Sequence, residues 1–327
     1  MSANATAITL SQVDEQRARA DARADAVFRL VVRGAGLFVL AALAGVALTT
    51  LWGGSEALST FGFGFLTSTE WDTVGHKFGA LAPIYGTLVT AAIALIIAVP
   101  VSFGIAMYLT ELAPAWLRTP VSAAIELLAG IPSIIYGMWG LFVFVPIMGR
   151  NIIPWLNEHV GDIWIIGPLF RGPPLGLGML TAGIVLAIMV IPFISSVMRE
   201  VFLTVPTRLK ESAYALGSTT LEVVWDVVLP YTRTAVIGGI FLGLGRALGE
   251  TMAVTFVLGN VHRLSLSLLE PGNSIAATIA NEFAEADSEI FRSSLIALAF
   301  LLFVVTFIVL AAAKLMLMQL AKRQGTT

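Results

Sequence analysis

Residues 205–230 read VPTRLKESAYALGSTTLEVVWDVVLP, and this stretch predicts two short helices separated by a glycine corner. Pro206 can begin the first helix, where its missing backbone N–H costs nothing. Gly217 can adopt the left-handed conformation that ends that helix. Thr219 and Glu222 have the spacing of a capping box, which begins a second helix. The alternative interpretation of the same residues is a simple amphipathic connector at a membrane surface.

Apolar stretches flank this loop on both sides and are long enough to cross a membrane. A spanning helix needs about 20 mostly apolar residues. Five stretches without charge qualify, and a sixth is apolar apart from Arg246 and Glu250. In chain order the six are residues 34–55, 78–110, 127–149, 172–198, 234–261 and 293–313, the fifth being the one with the two charges. The sequence therefore predicts an all-α membrane protein with six transmembrane helices.

The basic residues orient these spans. If the N-terminus is cytoplasmic, thirteen Lys and Arg residues lie on the cytoplasmic side and five on the outer side. Short loops rich in Lys and Arg resist translocation, so we predict that both termini and residues 205–230 are cytoplasmic. Residues 1–33 are polar and are expected to form a cytoplasmic tail rather than a signal peptide. The acidic outer loop at 262–292 is expected to be a solvated surface or, alternatively, a docking site for an external partner.

Composition excludes several classes of function. Only 12% of the residues are charged, against about 25% in a soluble domain, which makes membrane lipid the expected surroundings. The net charge of −2 argues against a nucleic-acid partner. The chain has no cysteine and its three histidines are far apart, so we expect no disulfide, metal site or cofactor. No GxxxxGK[ST] motif occurs, so any ATPase that powers transport must be another polypeptide, and we expect no enzymatic activity in this chain.

Two charges lie inside the fifth predicted span. Arg246 is thirteen residues beyond Arg233, which at 1.5 Å per residue is about 20 Å into the membrane. Glu250 is four residues further on and can pair with Arg246 if the helix is continuous. One interpretation is that the pair only neutralises itself and locks the helix to a neighbour. The other is that Arg246 meets a phosphate dianion in the substrate pathway, since its planar fork donates two parallel hydrogen bonds, while Glu250 orients it.

We expect Glu126 to be a third buried charge, near the cytoplasmic end of the third predicted span. Gly130 and Pro132 follow it, and a proline inside a helix removes a backbone hydrogen bond. Ser133 could satisfy the carbonyl group that is freed. We therefore expect a kink here, which could be a gate in the substrate pathway or merely a bend.

The loop at 205–230 resembles the "EAA" loop of permeases of ABC-class importers. That pattern is Glu-Ala-Ala, three residues, Gly, nine residues, Ile, one residue and Leu-Pro. The matching residues are Glu211, Ser212, Ala213, Gly217, Val227, Leu229 and Pro230, with Ser212 in place of alanine and Val227 in place of isoleucine. The resemblance implies that this loop is the coupling helix that docks into a groove of the ATPase subunit.

Other segments resemble the PstC-type permease subunits of bacterial phosphate importers. They are PIYGTLVTAAIA (83–94), ELLAGIPSIIYGMWGLFV (126–143), MVIPFISSVMREVFLTVP (189–206) and GLGRALGETMAVTFVLGN (243–260). The resemblance implies a type I importer-permease (MetI-like) fold in spans two to six, after one extra N-terminal span. It also implies three partners: a PstA-type second permease subunit, a PstB-type ATPase dimer and an extracytoplasmic PstS-type phosphate-binding protein.

We therefore predict a multi-pass inner-membrane subunit that forms the pathway of an ATP-driven importer of inorganic phosphate. The predicted segments are a cytoplasmic tail (1–33), a first transmembrane helix (34–55), a permease domain (78–315) and a second cytoplasmic tail (316–327). An importer of another oxyanion and an ion-coupled secondary carrier remain as alternatives. An intramembrane hydrolase is disfavoured, because no His or Asp lies within a span beside a serine nucleophile.

Overall fold

The computed structural model describes residues 2–323 of the chain, which are mostly helical. Residues 324–327, the end of the second predicted tail, lie outside the described residues. The chain forms two compact units, Met1–Trp52 and Gly53–Thr327. The first unit contains nearly all of α1 (Ser2–Gly53), a single helix of 52 residues. The predicted tail and the first predicted span therefore share one helix.

The second unit contains the remaining elements. Its helices are α2 (Ser55–Phe61), α3 (Gly64–Thr67), α4 (Leu81–Met107), α5 (Ala115–Ala129), α6 (Ser133–Trp139), α7 (Val145–Ile147), α8 (Ile153–His159), α9 (Met179–Leu203), α10 (Thr207–Ala215), α11 (Thr220–Val223), α12 (Leu229–Leu248), α13 (Met252–Leu258), α14 (Ile275–Glu282) and α15 (Glu289–Arg323). Wider π-helical turns are found at Tyr108–Leu112, Gly140–Phe144, Met148–Ile152 and Val224–Val228, and 3₁₀ turns at Gly167–Phe170 and Phe283–Glu285. Strands β1 (Trp71–Asp72) and β2 (Lys77–Phe78) pair antiparallel.

Six helical segments within the described residues are long and apolar enough to cross a membrane, which confirms the predicted number. They are Asp25–Gly53, Leu81–Leu112, Ser133–His159, Met179–Leu203, Thr220–Leu248 and Glu289–Met316. The bounds of all six segments differ from the predicted ones. In the third and fifth the difference changes the position of a charged residue of the candidate site, because Glu126 lies before the third segment and Arg246 lies near the end of the fifth.

The fifth span begins and ends earlier than predicted. The helix ends at Leu248 and a separate helix begins at Met252, so the predicted single span over 234–261 is wrong. At the other end, α11 continues through the π turn Val224–Val228 into α12. Pro230 lies just after this wide turn, which can accommodate its missing backbone donor.

Helices α4, α9 and α12 form the centre of the second unit. Small side chains let the backbones approach, as Gly183 of α9 lies against the side chain of Ile93 on α4. On α12, Gly239 and Gly243 face Val197 and Ile194 of α9. These glycines therefore pack within this chain, as small residues do between membrane helices.

The segment after α13 folds back into this core. Helix α13 ends at Leu258, and the next residue, Gly259, has a left-handed φ of 95°. Asn273 and Ser274 are buried, and the backbone N–H of Ile275 donates to the hydroxyl of Thr87 on α4 at 3.0 Å. The expectation of a solvated surface throughout 262–292 is therefore wrong for this part, where polar backbone groups are satisfied inside the protein.

A second contact joins this segment to the β hairpin. The indole N–H of Trp71 donates to Glu282 at 2.6 Å, and the ring of Trp71 stacks on His262 at 4.7 Å between ring centroids. The Nε2 atom of His262 lies 2.7 Å from the other carboxylate oxygen of Glu282. Glu282 therefore has a structural role at this end of the molecule.

Candidate functional site

The loop between α9 and α12 has the local structure that its sequence predicts. Pro206 precedes the first residue of α10, and Gly217 has a left-handed φ of 91°. Thr219 and Glu222 form both halves of a capping box, in which the Thr219 N–H donates to the Glu222 carboxylate at 2.7 Å. The helix–corner–helix prediction is confirmed, except that the second helix is the first turn of span five.

The residues of the EAA-like pattern lie mostly on the surface of this loop. Glu211, Ser212 and Gly217 are exposed, whereas Ala213 is half-buried against the central core. At the far end of the pattern, Leu229 is half-buried and Pro230 is exposed. Large apolar side chains near them are also exposed, with Leu216 at 88% and Leu221 at 58%. Exposed apolar groups of this kind suit a protein contact, but a role in coupling stays a prediction.

One contact of this loop was not foreseen. Lys210 of α10 donates to the carboxylate of Glu111 at 2.5 Å, and the two side chains are only 16% and 7% exposed. Glu111 lies in the π turn that ends span two. The sequence contained one indication of this pair, since Glu111 is the first charge after the apolar stretch 78–110.

Glu126 is not buried in a span, and that expectation is wrong. It lies on α5, outside the candidate spans, with 60% of its side chain exposed. Its carboxylate is 3.6 Å from Arg199 at the end of α9, and Arg199 also binds Glu200 at 2.6 Å. The charges of Glu126 and Arg199 therefore meet at the rim of the helix bundle.

The predicted kink after Glu126 is a complete break. Helix α5 ends at Ala129, the turn runs through Pro132, and α6 begins at Ser133. The hydroxyl of Tyr136 donates to the carbonyl of Leu128 across this break at 3.0 Å. Tyr136, rather than the predicted Ser133, therefore satisfies a freed carbonyl group.

Arg246 lies in the last turn of α12 and is half-buried. Its guanidinium carbon is 5.6 Å from the centroid of the Phe193 ring, a cation–π distance. The Nε atom is buried and forms no hydrogen bond. Phe193 belongs to span four, so two spans contribute residues around this charge.

The expected pairing of Arg246 with Glu250 does not occur. The two residues form no ion pair within 4.0 Å, because α12 ends at Leu248 and the helical spacing between them is lost. The Glu250 carboxylate instead accepts a hydrogen bond from the backbone N–H of Ala253 at 3.2 Å, in the first turn of α13. Sequence reasoning missed this because it treated 234–261 as one helix.

The positive charge of Arg246 is therefore only weakly compensated by its surroundings. A helix C-terminus stabilises a nearby cation by about 0.3–1 kcal/mol, and an exposed cation–π contact adds about 0.5–1 kcal/mol. No carboxylate of the described residues lies within 4.0 Å of the guanidinium, so an anionic ligand could add a charge partner that this chain does not supply.

Comparisons with known proteins match most of the chain. Residues 101–318 match the family described as "Binding-protein-dependent transport system inner membrane component". A protein of Xylella fastidiosa (strain 9a5c) named "Phosphate transport system permease protein PstC" is 67% identical over 305 residues, covering 93% of this chain and 94% of that protein. A protein of the same name from Mesorhizobium japonicum is 56% identical, covering 92% of each chain.

Among solved structures, the fold resembles a chain from a bacterial alginate ABC transporter crystallised with an alginate pentasaccharide-bound periplasmic protein. The TM-score is 0.55 at 15% sequence identity, covering 86% of this chain and 90% of that one. At this identity the likeness concerns the fold alone.

Proposed function

The chain belongs to the family of binding-protein-dependent transport system inner membrane components, and we propose that it is a permease subunit of an ATP-driven importer of inorganic phosphate. Family membership and the likeness to the alginate transporter chain confirm the predicted type I importer-permease fold. The protein is a multi-pass membrane permease. Relatives at 67% and 56% identity are named for phosphate transport, so another oxyanion and an ion-coupled carrier are not favoured.

Arg246 is the observation that carries the proposed substrate pathway. Its charge lies in a membrane span with a buried Nε–H that has no protein acceptor, and its nearest ring neighbour is an apolar phenylalanine. A dehydrated phosphate needs donors that replace its water, and a guanidinium offers them in a planar fork. In this proposal Arg246 contacts phosphate while Glu250 holds the adjacent helix in place.

Tyr136 and Ser133 lie at the start of α6 and would form another side of the same pathway. Tyr136 bridges the break between α5 and α6. A broken helix supplies backbone and side-chain polar groups where a cavity passes through a membrane protein. Glu126, which pairs with Arg199 at the rim, would act at the cytoplasmic exit of this pathway.

The loop at 205–230 is the proposed site of attachment to an ATPase. The support is its exposed helix α10, its exposed apolar side chains and its match to the EAA pattern. The proposed partners are a PstB-type ATPase dimer at this loop, a PstA-type permease subunit and a PstS-type binding protein outside. In this arrangement both termini are cytoplasmic, and closure of the ATPase dimer opens the pathway outward to receive phosphate.

Uptake of radioactive phosphate into right-side-out vesicles, with ATP enclosed in their lumen, tests the proposal. Vesicles that contain the chain with its three proposed partners should accumulate phosphate only when ATP reaches the ATPase. Vesicles without this chain should not. Uptake that persists after ATP depletion, with the ion gradient intact, would instead support a secondary carrier.

A further inference from the structure

The pair formed by Lys210 and Glu111 is the most shielded of the Lys or Arg ion pairs among the described residues. The two side chains are 16% and 7% exposed, whereas in every other such pair at least one side chain is 60% exposed or more. Charges held away from water must be paired, and removing one partner is costly. Such a contact is therefore expected to stay closed unless the helices themselves move.

The pair joins two parts of the chain that have no nearby covalent connection. Helix α10 follows α9 directly and leads through α11 into α12, so the chain itself links it to spans four and five. Glu111, the second-last residue of span two, precedes Lys210 by 99 residues. The ion pair therefore attaches the loop to span two.

Apart from this ion pair, helix α10 packs only weakly against the rest of the protein. None of its residues is buried, and within it Lys210 and Ala213 are the half-buried positions, three residues apart and so on one face. The neighbouring Glu211 and Ser212 are exposed. One face of α10 is thus attached to span two while the rest remains available to a partner.

Glu111 is well placed to pass a movement of α10 into the core. It lies in the π turn Tyr108–Leu112, which continues α4. Helix α4 packs along α9, where the hydroxyl of Ser102 donates to the carbonyl of Ile191 at 3.1 Å. A displacement of Glu111 therefore acts on the buried core between α4 and α9.

We propose that the Lys210–Glu111 ion pair is a mechanical link that transmits movement of the coupling loop to span two. The proposal rests on the proposed function, in which an ATPase acts on this loop. Both residues are positioning residues, since neither contacts the substrate. Breaking the link should leave the complex assembled and hydrolysing ATP, while less phosphate is moved per ATP.

The experiment compares this ratio in the complete importer reconstituted into liposomes. The main variant is Glu111→Gln with Lys210→Gln, which removes both charges and leaves no buried unpaired ion. We expect the phosphate moved per ATP to fall about tenfold or more, within the range of couplings between distant sites. The swapped pair, Glu111→Lys with Lys210→Glu, can re-form the bond and should recover most of the ratio.

The exposed pair Glu70–Lys77, at 3.5 Å with side chains 65% and 66% exposed, supplies the matched control. Glu70→Gln with Lys77→Gln should leave the ratio unchanged.

A neutral variant at 111 and 210 that transports at the wild-type ratio would overturn the proposal. A neutral variant that does not assemble would also overturn it, because the pair would then be a folding contact. Absence of phosphate uptake by the wild-type complex would refute the proposed function instead.

Discussion

The carboxylate of Glu250 accepts a hydrogen bond from the backbone N–H of Ala253 at 3.2 Å. The bond lies in the first turn of α13, where free backbone donors favour a negative charge. Glu250 therefore stabilises the start of a helix and leaves the charge of Arg246 to other partners. This separates the roles of two residues that one continuous helix would have brought together.

Gly217→Val should impair coupling without preventing membrane insertion. Nothing lies within 4 Å of the position of a Cβ at this residue, so the effect comes from the left-handed φ of 91° alone. A β-branched residue in this conformation costs about 1–3 kcal/mol. We expect normal membrane levels but weaker ATPase binding, measured by co-purification. Gly217→Asn is the control, because asparagine tolerates this conformation, and equal ATPase binding by the Val and Asn variants would contradict the prediction.

The loop could be predicted in detail because its signals are local. The conformation of Gly217 and the capping box of Thr219 and Glu222 depend on residues within a few positions of each other. Hydropathy likewise gave the correct number of spans, because crossing the membrane requires about 20 apolar residues whatever the tertiary structure.

The charged residues were harder to place because their partners are distant in sequence. The pairing of Lys210 with Glu111 joins residues 99 apart, and that of Glu126 with Arg199 depends on the break at Pro132. The end of α12 at Leu248 was missed because the stretch 234–261 is apolar apart from Arg246 and Glu250, which four-residue spacing would pair on one helix. Hydropathy does not distinguish one long helix from two short ones.

Gly86→Ala should destabilise the packing of the segment after α13 against α4. A Cβ at residue 86 would collide with the backbone carbonyl oxygen of Asn273, which cannot move without disturbing the buried bond from Ile275 to Thr87. Overpacking of this kind costs about 1–3 kcal/mol. We expect a lower melting temperature for the purified protein in detergent. Gly104→Ala on the same helix meets nothing within 4 Å and should be neutral or stabilising, so a similar loss in both variants would contradict this packing.

Single cysteines can test the proposed orientation, because the natural chain has none. Val74 and Leu216 are each 88% exposed, and Asp287 is also exposed. With both termini cytoplasmic, Val74→Cys and Asp287→Cys should react with a membrane-impermeant maleimide added to intact cells stripped of their outer membrane. Leu216→Cys, expressed without the ATPase, should react only after the membrane is permeabilised. Labelling of Leu216→Cys from outside would reverse the orientation.

Arg246 is the residue on which the proposed substrate pathway depends, and a set of variants can separate transport from folding. Arg246→Gln removes the charge and keeps some hydrogen bonding. Glu250→Gln keeps an oxygen that can accept from the Ala253 N–H, so this variant alone should assemble and transport nearly normally. Phe193→Leu removes the ring beneath the guanidinium and measures how far that contact, rather than the charge, matters.

Phosphate uptake, normalised to the amount of assembled complex, should fall about ten- to a hundredfold in Arg246→Gln, the loss expected for hydrogen bonds between charged groups. Arg246→Lys should recover only part of the uptake, because lysine offers a point charge and no planar fork.

The double variant with Glu250→Gln decides between the two roles of the arginine. If Arg246 existed to neutralise Glu250, removing both charges would restore uptake. Since Glu250 already binds the start of α13 and makes no ion pair with Arg246, we expect the double variant to assemble and still fail to transport. Near-normal uptake by the double variant would show that Arg246 does not contact the substrate and that its part in span five is structural.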